Sequence, residues 1–72
     1  MSANDNLIKS ERVKAVATAI VRLSVGCEHR EFLAACAIAA GMFIRRTWEP
    51  RAVDDVLAAH IDNVTMVAKE PF

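Results

Sequence analysis

Two cysteines and two histidines are the residues of this 72-residue chain best suited to chemistry: Cys27, His29, Cys36 and His60. All four are ligand types that zinc uses. Their order is C-x-H, then seven residues to Cys36, then a long gap, which matches no zinc-binding spacing. Cys27 falls where a helix is expected to begin. A helix N-terminus activates a thiol as a nucleophile, so Cys27 is the candidate reactive thiol. It lies ~13 Å along a helix from Cys36, too far for a bond within the chain. A bridge between two chains through Cys27 stays open. His60 sits on an apolar stripe between Val56 and Val64. A ligand or pH switch is the chemical reading. A lone histidine lacks the ligand count of a metal site, so a core histidine is the expected one.

Enzymatic readings find little support. The chain has no glycine-rich phosphate loop, no H-E-x-x-H, no G-x-S-x-G and no tyrosine. Asp54 and Asp55 are adjacent and project about 100° apart on a helix, so they form no carboxylate pair. A non-enzyme without metal or cofactor is expected. Lys9, Arg12, Lys14 and Arg22 make the first helical segment the candidate nucleic-acid surface. Zero net charge and the lack of an aromatic residue there weigh against it. A helix-turn-helix fits no better. The second segment is too apolar for the major groove, and the third would bring Asp54 and Asp55 to phosphate.

Three helical segments must position these residues. Gly26 and Pro50 divide the chain, and no stretch alternates with the period of a strand. The first segment runs from residue 7 or 10 to 25, capped by Asn6 or Ser10. Val13, Val16, Ala17, Ile20 and Leu23 form its apolar face. Gly26 suits the position after a helix, where a positive φ is cheap only for glycine. The second segment covers residues 28–46, with Glu28 and Glu31 in its first turn and Arg45 and Arg46 in its last, as the helix dipole favours. The third runs from Pro50 to residue 68 or 69. Glu49 is its expected cap, and Trp48 and Val53 have the spacing of a hydrophobic staple. Val53, Val56, Leu57, His60, Val64 and Val67 make its core face, and Pro71 prevents much continuation. Short connections turn successive helices back on each other, which predicts an all-α three-helix bundle.

The second segment is apolar on every side. Phe32, Cys36, Ala39 and Phe43 can serve the bundle core. Ala34, Ala37, Ile38 and Gly41 then have no partner within the chain, and such a patch marks a protein contact. Small residues four apart allow two helices to approach closely. An antiparallel two-fold contact about Ile38 sets Glu31 opposite Arg45 of the other chain. The expected interface is therefore Ala34, Ala37, Ile38, Gly41 and Arg45, in a homodimer.

Composition agrees. Hydrophobic residues make up 54% of the chain. That exceeds the roughly 45–50% usual in soluble domains even with glycine counted, and is more than a small monomer needs. Two cysteines are too few for a disulfide scaffold. Charge is segregated. Lys9, Arg12, Lys14 and Arg22 outnumber Asp5 and Glu11, whereas Glu49, Asp54, Asp55, Asp62 and Glu70 outnumber Arg51 and Lys69. Complementarity between neighbouring helices is the expected use of that asymmetry. Residues 1–6 show no basic stretch followed by an apolar one. The apolar run from Phe32 to Ile44 is shorter than the about 20 residues that a membrane span needs. The expectation is one cytoplasmic domain over residues 1–72, with flexible ends at 1–6 and 70–72. It binds itself and another protein, not nucleic acid or membrane.

Overall fold

A computed structural model describes residues 7–70. Among them the chain is all-helical, with no strand. It comprises α1 (Glu11–Arg22), α2 (His29–Thr47), a 3₁₀ turn (Pro50–Ala52) and α3 (Val53–Lys69). The alternative cap Asn6, the terminating Pro71 and the ends at 1–6 and 71–72 lie outside the described residues. Two units divide the chain, Met1–Ile38 and Ala39–Phe72, and α2 runs from one into the other.

In the first unit Ser10 caps α1. Its backbone is extended, and its hydroxyl accepts from the Val13 N–H at 3.4 Å. That satisfies one of the donors a helix start leaves open. The α-helix stops at Arg22, three residues short of the expected Val25. Leu23, Ser24 and Val25 donate instead to Ile20, Val21 and Arg22, a tightened i→i+3 ladder that unwinds the last turn. Gly26 follows at φ +84°, the conformation expected of it. Glu28 stands outside α2 as its cap rather than in its first turn. Its carboxylate accepts from the Glu31 N–H at 3.2 Å and its carbonyl from Phe32.

The expected apolar face of α1 is not a core. Val13, Val16, Ala17, Ile20 and Leu23 are all exposed. One helix and half of another supply too little surface to enclose a core. On α2 the unit half-buries Phe32 and Cys36.

In the second unit Ala40 is half-buried and Ile44, at 6% exposure, is the buried side chain of the described residues. The covered line on α2 thus steps by fours through Phe32, Cys36, Ala40 and Ile44. It does not turn through Ala39 and Phe43 as the sequence predicts. Phe43 is 63% exposed. Its ring is instead engaged by Trp48 at the helix end.

Pro50 opens the 3₁₀ turn, not the α-helix, and α3 begins at Val53. Glu49 has the extended backbone of a cap, but its carboxylate takes the Arg51 Nε at 2.8 Å and bonds no backbone N–H. The ring of Trp48 meets that of Phe43. Along α3, Val53, Val56, Ala59, Asn63 and Met66 are half-buried, while Leu57, His60, Ile61, Val64 and Val67 are exposed. His60 is therefore not a core histidine. With no hydrogen-bond partner among the described residues, its imidazole is better hydrated than set among valines.

Candidate functional site

The five residues of the expected interface share one side of α2. At about 100° per residue, Ala34, Ala37, Ile38, Gly41 and Arg45 fall within an arc of roughly 100°. The helix that holds them is fixed by the Glu28 cap at one end and by Arg45 and Arg46 against the dipole at the other. All five are exposed, Ile38 to 63%. A Cβ built on Gly41 meets nothing within 4 Å. Nothing in the packing of the described residues therefore calls for glycine there, and a full helical cost is borne for an open surface.

Charge borders this face. Glu31 and Arg45 are two α-helical steps of seven apart and lie on the same side of the arc. Both are exposed, and among the described residues neither side chain has an ion-pair partner.

The basic residues of the first segment do not form a line. Arg12 and Lys14 project about 160° apart on α1. Lys14 pairs with Glu11 at 3.5 Å, while Lys9 and Arg22 are exposed. Cys27 is exposed but is not at the first turn of α2. It precedes the cap, and its thiol donates back to the Leu23 carbonyl at 3.5 Å. Cys36 is half-buried on the covered line of α2. Among the described residues no three His, Cys, Asp or Glu side chains come together to hold a metal ion.

Two features escaped the sequence reading. One is the Phe43–Trp48 ring pair. The other is that Leu57, Ile61, Val64 and Ala68, spaced along one side of α3, are all exposed. The spacing of four, three and four was the available signal. Among the described residues no helix is long and apolar enough to cross a membrane. No protein-family model, curated protein or solved structure matches this chain.

Proposed function

We propose that this chain is a small non-catalytic helical interaction module. It self-associates through the Ala34, Ala37, Ile38, Gly41 and Arg45 face of α2. One observation carries the reading: Ile38 stands open beside a glycine whose missing side chain no neighbour requires. Two such faces in antiparallel contact bring the backbones close at Gly41 and set Glu31 against Arg45 of the second copy at both ends. At ~25 cal/mol per Å², a few hundred Å² of apolar surface per chain is worth several kcal/mol before association costs.

Light scattering at micromolar concentration tests it. The wild-type mass should be a multiple of the 7.9 kDa chain. Ala37→Glu or Gly41→Glu should lower it while leaving the helical content of the chain in place. A wild-type mass of one chain across the micromolar range defeats the proposal. Unchanged mass in both variants moves the contact to another surface.

A further inference from the structure

We draw no further inference here: the strongest candidate, the exposed apolar face of α1 made by Val13, Val16 and Ile20, carries none, because Lys14 is held by Glu11, Arg22 projects to the far side of the helix, and nothing in the structure shows what covers that face.

Discussion

The ring of Phe43 stands edge-on to that of Trp48, with centroids 6.2 Å apart and planes at 79°. The α2 terminus is therefore closed by an aromatic contact five residues apart in sequence, just where the Trp48 N–H makes its bond to the Ile44 carbonyl. Trp48 is the only tryptophan of the chain. Its fluorescence is therefore a single-site probe of this region. Phe43→Ala should shift its emission to the red and cost about 0.5–1.5 kcal/mol beyond the lost apolar area. An unchanged spectrum would mean that the pair does not form in solution.

The two thiols should separate by rate. Cys27 is exposed, and Cys36 lies half-buried on the covered line of α2. Native alkylation followed by mass spectrometry should label Cys27 first, and denaturant should erase the difference. Equal fast labelling without denaturant would show that the Cys36 side of α2 is open.

Gly26 is held at φ +84° with open space around it. Strain, not a clash, is what a side chain would add there. Gly26→Ala should destabilise by about 1 kcal/mol in urea titrations, and Gly26→Asn by less, because asparagine tolerates that region. Equal loss in both would point to a cause other than φ.

Gly41 should behave in the opposite sense. It is helical with nothing near its missing Cβ. Gly41→Ala should raise the stability of the dissociated chain by up to about 1 kcal/mol through helix propensity. The same methyl group should weaken association if backbones meet there. A variant both more stable when dilute and just as tightly associated would remove Gly41 from the interface.

Removing the Ser10 hydroxyl should fray α1. Ser10→Ala takes away the acceptor of the Val13 N–H and should cost about 1 kcal/mol. Circular dichroism should show less helix at intermediate denaturant, and Ser10→Asp should recover it. A silent Ser10→Ala would place the cap elsewhere.

Helix number and punctuation were legible because they depend on local rules. Gly26 and Pro50 mark breaks whatever surrounds them, and the charges at the ends of α2 follow its dipole. The exposure of Ala34, Ala37, Ile38, Gly41 and Arg45 was legible for the same reason, since an all-apolar helix declares an unused side. What failed was the choice of inward face. On α2, periodicity cannot tell Phe43 from Ile44, which differ by one residue and about 100°. Trp48 makes the difference by engaging Phe43. On α3, Val53 and Val56 of the expected core face are half-buried, but Leu57, His60, Val64 and Val67 are exposed, and Ala59, Asn63 and Met66 line the covered side. Hydropathy ranks residues by how much they avoid water, not by which neighbour covers them. Glu28 was misplaced by one residue because a glutamate reads as a first-turn acid before it reads as a cap.

The continuity of α2 has a consequence for how the chain comes apart. Of its residues, 29–38 belong to one unit and 39–47 to the other. Neither portion reaches the about 12–15 residues at which an isolated helix becomes even marginal in water. Each therefore depends on the other to propagate. The amides around Ala37–Gly41 should exchange with deuterium among the slowest, through opening of the whole helix and not through fraying of one end. Heat should then melt both units in one transition.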